Sequence, residues 1–121
     1  MPNNDIRSYR DLKVWVKDID LAKLIYQLTG DFPKAEIYGL TSQMRRAAVS
    51  VPANIAEGHA RQHRNEFRQY VHHSLGSIAE LDTMRIIALA LGYLQPDNGA
   101  KLESMLIEIQ KMLNALVTSL S

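Results

Sequence analysis

The stretch Ala100-Lys101-Leu102-Glu103-Ser104-Met105-Leu106-Ile107-Glu108-Ile109-Gln110-Lys111-Met112-Leu113-Asn114-Ala115-Leu116-Val117-Thr118-Ser119-Leu120 decides the fold. Its apolar residues recur at intervals of three and four, the period of an α-helix. Turned at about 100° per residue, Leu102, Met105, Leu106, Ile109, Met112, Leu113, Leu116, Val117 and Leu120 share one face. That is a helix burying one side against other helices. Before it, Gln95-Pro96-Asp97-Asn98-Gly99 carries turn chemistry. Further back, Phe67, Val71, Ser74, Ile78 and Leu81 align on a helix expected from Asn65 to Leu91, closed by Gly92. At 1.5 Å per residue such a helix is about 40 Å long. A polar linker over 59–64 separates it from a helix over Leu40–Glu57, ended by Gly58. The first helix runs from Leu12 to Thr29, with Ser8 or Asp11 as N-cap and Gly30 as its stop. Asp31-Phe32-Pro33 connects, and Lys34 to Tyr38 forms a single turn.

Long helices joined by short connections predict an all-α, antiparallel up-and-down four-helix bundle. It forms one domain over 9–121 behind a loose tail over 1–8. The chain of 121 residues is long enough to bury its own core. Its 46% apolar and 22% charged residues are ordinary for a globular protein. With 6 glycines and 4 prolines the chain has little punctuation, which agrees with few, long elements. The absence of cysteine excludes disulfides and thiolate metal sites. No basic region followed by an apolar run opens the chain, and no window reaches 18 uninterrupted apolar residues, so a cytoplasmic protein without membrane contact is expected.

The first helix carries two apolar stripes. Leu12, Trp15, Val16, Ile19, Ala22 and Tyr26 form one; Val14, Leu21, Leu24, Ile25 and Leu28 lie nearly opposite. A helix in a solitary bundle needs one such face, and large exposed apolar patches are uncommon on monomers. The second stripe is therefore the candidate oligomer interface, unless the 31–38 connector folds over it.

In the second helix, Leu40, Met44, Ala47, Val51 and Ile55 make the core face. Beside it runs a polar ladder of Gln43, Arg46, Ser50, Asn54 and Glu57, spaced three or four apart and able to bond along the helix or to the next one. Pro52 removes a backbone donor and frees the carbonyl of Ala48, so a bend or break is expected there. Gln43, Ser50, Asn54 and Glu57 are read as structural. Arg45 and Arg46 either fix helix register or grip phosphate.

Charge is spread unevenly. Residues 44–73 hold Arg45, Arg46, Arg61, Arg64 and Arg68 against only Glu57 and Glu66, together with all four histidines, His59, His63, His72 and His73. Bases at the start of the third helix oppose its macrodipole, so they do not serve that helix. A solvated loop is the bland reading of the cluster; contact with nucleic acid is the sharper one. His59 and His63 lie in the linker with no spaced carboxylate or thiolate to complete a metal set, and neither a metal nor another cofactor is expected. Arg85 falls on the core stripe of the third helix and calls for a carboxylate such as Asp82 or Glu57. No glycine-rich phosphate loop, nucleophile elbow or inward Glu-x-x-His pattern is present, so no catalytic residues are assigned and enzymatic activity is not expected.

From Tyr9-Arg10-Asp11-Leu12-Lys13-Val14-Trp15 onward the chain resembles the four-helix bundle proteins first found encoded within intervening sequences of bacterial 23S ribosomal RNA genes. Tyr38-Gly39-Leu40-Thr41-Ser42-Gln43, Arg45-Arg46-Ala47-Ala48-Val49-Ser50, Asn54-Ile55-Ala56-Glu57-Gly58 and Gly76-Ser77-Ile78-Ala79-Glu80-Leu81 carry the resemblance. It implies a ring-shaped homopentamer and brings no molecular activity. More distantly it is similar to the accessory variability proteins of diversity-generating retroelements, pentamers whose basic surfaces bind nucleic acid. Asp18 departs from the small apolar residue that the resemblance implies. The expected function is a non-enzymatic oligomeric module contacting structured RNA, or DNA, through Arg45, Arg46, Arg61, Arg64 and Arg68. The alternative is a protein–protein scaffold whose basic stretch is merely solvated.

Overall fold

A computed structural model describes residues 8–121, all of them in helices, turns and short connections with no strand among them. Four helices follow in order: α1 (Lys13–Thr29), α2 (Leu40–Ala60), α3 (Arg64–Ala90) and α4 (Pro96–Ser119). Each packs against its sequence neighbour, and α4 closes back on α1. Two 3-10 turns accompany them, Tyr9–Asp11 before α1 and Lys34–Glu36 between α1 and α2. Ser8 and Asp11 cap the first turn reciprocally. Of the tail expected over 1–8, residues 1–7 lie outside the described residues. No helix among the described residues is long and apolar enough to cross a membrane.

The core is a column of fully buried side chains: Leu21 and Ile25 from α1, Met44, Val51 and Ile55 from α2, Val71 and Leu81 from α3, and Leu102, Ile109 and Leu113 from α4. The α4 face is the one its periodicity predicts. The assignment on α1 is corrected. Val14, Leu21, Leu24 and Ile25 are buried in the protomer's own core, and Leu28 packs against it, so these residues are not a surface for a partner. The opposite stripe is divided: Leu12, Trp15 and Ala22 pack against the edge of the core, while Val16 and Tyr26 are about half exposed. The 31–38 connector contributes in part: Phe32 is buried in the same core as the Val14–Leu28 stripe, while Ile37 and Tyr38 stand in solvent.

The physical reason for the inversion is Asp18. It sits in the middle of the true core stripe with no exposed surface, and neither carboxylate oxygen has a hydrogen-bond partner among the described residues. Burial alone pushes this carboxyl up to about 8, because a charge in an apolar interior lacks its hydration. A carboxylic acid held neutral in the core is invisible to a hydrophobic pattern.

The glycines correct two boundaries. Gly58 does not end α2; the helix passes through it to Ala60. A Cβ at that position would stand 2.6 Å from Tyr70 Cβ and 3.0 Å from Phe67 Cδ1. Gly58 is therefore the place where α2 and α3 approach most closely before the chain turns at Arg61-Gln62-His63. Gly99 likewise lies inside α4, whose first residues are those expected to be a turn, and Leu89 packs where its Cβ would be. Gly92, in contrast, does close α3: its φ of +76° is left-handed, and Tyr93 N–H donates to Ala88 O at 2.9 Å.

Candidate nucleic-acid interface

The polar ladder on α2 resolves around Pro52, which the helix traverses unbroken. Ser50 Oγ donates to Ala47 O at 2.7 Å, Asn54 Nδ2 to Ser50 O at 2.8 Å, and Ser74 Oγ of α3 to Val51 O at 2.8 Å. Three side chains thus donate to carbonyls of residues 47, 50 and 51, in the turns just before the proline. Ser50 also shares a hydrogen bond with Ser77 across the α2–α3 contact. Gln43 is exposed on the rim of a shallow groove with Arg46, Ala47, Ser50 and Glu80.

Glu57 does something else. It accepts from Arg61 Nη2 at 3.2 Å and from Tyr70 Oη at 3.3 Å, and Arg61 in turn donates to Tyr70 Oη at 2.9 Å. Arg61 also reaches Glu66 at 3.6 Å and lies 5.4 Å over the Tyr70 ring. The Glu57 hydrogen bond, then the other charges around it, raise the pKa of Arg61 further. Its field is largely answered by two carboxylates.

Arg45 is also committed. Its Nε donates to Thr29 Oγ1 at 2.9 Å, and its guanidinium lies 4.7 Å from the Tyr26 ring centre. It straps the start of α2 to the carbonyl end of α1, where a cation suits the dipole. Arg85, buried apart from 9% of its side chain, bridges Asp82 at 2.9 Å and Glu103 at 3.2 Å. Glu57 is not its partner; the second carboxylate comes from α4.

That leaves Arg46, Arg64 and Arg68. Arg46 and Arg68 are exposed and make no hydrogen bond or ion pair among the described residues. Arg64 is exposed and uses one N–H on Ser119 O at 3.1 Å, at the carbonyl end of α4. Arg64, Arg68 and His72 follow at four-residue intervals along α3, all exposed, as one stripe of two arginines and a histidine. His63 is exposed beside its start. His59, half-buried, and His73, exposed, lie edge-on against Phe67 and Tyr70, at 5.6 and 5.9 Å. Arg46 stands apart. The Ser50–Ser77 and Gly58–Tyr70 contacts fix the α2–α3 register and put Arg46 about 20 Å from Arg68 along the bundle axis. The five arginines are therefore not one patch.

The model of the 23S rRNA-intervening sequence protein family matches residues 10–115. The chain belongs to that family. Among solved structures, a protein of unknown function from the S23 ribosomal protein family of Bacteroides thetaiotaomicron is similar over 86% of this chain and 97% of that one, with 20% identity and a TM-score of 0.77. At that identity the likeness is one of fold. No match is found among curated proteins. The relative with a solved structure is itself described as a protein of unknown function.

Sequence reasoning missed two features of this surface: the neutralisation of Arg61 and the continuity of Arg64 with Arg68 and His72. Glu57 at i,i+4 from Arg61 was a legible signal for the first. The second depended on α3 beginning at Arg64 rather than Asn65.

Proposed function

We propose that the protein is a cytoplasmic, non-enzymatic, self-assembling module that contacts structured RNA through the Arg64–Arg68–His72 stripe of α3. The observation that carries this reading is that the stripe has no answering carboxylate among the described residues, when the neighbouring Arg61 has two. Its bases sit where they cost stability. Arg64 opens the helix against the positive end of the dipole, at about 0.3–1 kcal/mol, and the like-charged i,i+4 pair adds a few tenths. A stripe that weakens its own helix and has no carboxylate partner among the described residues matches the spaced phosphates of a nucleic-acid backbone.

Assembly multiplies such a stripe, and the exposed apolar residues supply surfaces for it. Arg45 places Tyr26 on the α2 side of α1, while Lys17 faces α4 through Glu108 at 3.2 Å. Tyr26 and Val49 thus line the α1–α2 side of the bundle. Ile86 and Ile107 flank the groove of Ala79, Asp82, Thr83, Glu103 and Gln110 on the α3–α4 side, opposite. Two unlike patches on opposite sides favour head-to-tail contacts that close into a ring, in keeping with the pentamer of the family resemblance.

The test exchanges charge on screened and unscreened arginines. Arg64→Glu with Arg68→Glu should lower retention of a structured RNA at least about tenfold at low salt, whereas Arg61→Glu should change it far less. Equal losses, or none, would leave the scaffold reading standing instead.

A further inference from the structure

We propose that Tyr38 is the anchor by which one copy of this chain grips a second copy at the connector end of the bundle. The inference rests on the assembly reading above and names a contact within it. Tyr38 is 94% exposed, the most exposed large apolar side chain among the described residues, and Ile37 beside it is 48% exposed. An exposed tyrosine on a loose loop means little, but the backbone under Tyr38 is tied down on both sides. Glu36 is the clamp. Its Oε1 accepts the N–H of Leu40, the first residue of α2, at 3.0 Å, and its Oε2 accepts Tyr93 Oη, from the turn after α3, at 3.1 Å. Ile37 N–H donates to Lys34 O at 3.1 Å and Gly39 N–H to Glu36 O at 2.9 Å. A Cβ on residue 39 would stand 2.6 Å from Glu36 Oε1, so glycine is what lets the clamp close.

The result is an aromatic knob whose backbone is ordered before any partner arrives. Only two side-chain torsions remain to be fixed on binding, which makes it a low-cost anchor of the kind that dominates interface energies. Beside the knob, Gly30, Phe32, Pro33 and Ile37 give a groove apolar walls, with Lys34 and Arg45 at its rim and Thr29 and Thr41 buried beneath it. That groove suits a tyrosine: apolar walls for the ring and hydrogen-bonding groups for the hydroxyl. One chain therefore carries a knob and a groove of matching chemistry at the same end of its bundle, so that the knob of one copy can enter the groove of the next.

Sedimentation velocity of the full chain over a concentration series tests the proposal, alongside RNA retention. The wild type should assemble. Tyr38→Ala should move the assembly midpoint about tenfold or more to higher concentration, leaving helicity and RNA contact per protomer unchanged. Tyr38→Lys, which keeps an exposed residue in the same backbone, should do the same. An assembled wild type whose midpoint neither variant moves overturns this inference and spares the assembly reading. A monomeric wild type overturns both. Weakened RNA retention at an unmoved midpoint also overturns it, by giving Tyr38 to the nucleic acid.

Discussion

Between about pH 4 and pH 8 the protein should become progressively less stable, and Asp18→Asn should abolish that trend. Asp18 has no exposed surface and no partner for either oxygen among the described residues, and burial raises its carboxyl to about 8 against an ordinary value near 4. In that window the folded chain holds a proton that the unfolded chain has released. Stability contributed by the raised group is fully present below the unfolded value and is lost as pH rises through the folded one. At about 1.4 kcal/mol per unit, the difference at pH 7 approaches 4 kcal/mol, large beside the 5–15 kcal/mol typical of a domain. The amide of Asn is nearly the same size and cannot ionise. Thermal unfolding of Asp18→Asn at pH 8 should therefore occur roughly 10 °C above wild type, and the two curves should converge near pH 4. A wild-type Tm that is flat from pH 5 to pH 8 would mean that this carboxylate is solvated or paired.

The second large effect is expected at Gly58. Replacement by alanine would ordinarily help a helix by about 1 kcal/mol. Here the added Cβ meets Tyr70 Cβ at 2.6 Å, an atom fixed to the α3 backbone and unable to swing aside. Gly58→Ala should cost about 1–3 kcal/mol, and Gly58→Val about 3 kcal/mol or more, as overpacking of a helix contact. Urea unfolding followed by circular dichroism measures both. A compensating Tyr70→Gly in the Gly58→Ala background should recover less than half of the loss, because it also removes the Tyr70 contacts to Arg61 and Glu57. A Gly58→Ala variant as stable as wild type would show that Gly58 terminates a helix rather than spacing two.

These two residues also mark where the sequence was legible and where it was not. The four helices were readable because α4 and most of α2 and α3 bury one periodic face each. Arg85 was readable as a buried base in need of carboxylates, and it has two. Which face of α1 turns inward was not readable. Hydrophobic periodicity weighs Trp15 and Tyr26 heavily and discounts a stripe interrupted by an acid, yet the stripe containing Asp18 is the buried one. Gly58 and Gly99 look like helix ends because glycine often is one, and nothing local distinguishes that use from a close approach decided by α3. The candidate site fared similarly. The cluster of bases was evident, but which of them are spent on Glu57, Glu66, Thr29 or Ser119 depends on contacts between helices. The fold narrows the five arginines to a stripe of two and a histidine, with Arg46 alone on another surface.

The most direct test of that stripe is the salt dependence of affinity for a structured RNA. Each phosphate contact formed by a base releases condensed counterions and adds roughly 0.7–0.9 to the steepness of log affinity against log salt. Wild type should show a slope of about −2 or steeper, and Arg64→Glu with Arg68→Glu should flatten it by about 1.5 or more. An affinity that ignores salt, or a slope that the double substitution leaves intact, would contradict RNA contact through α3.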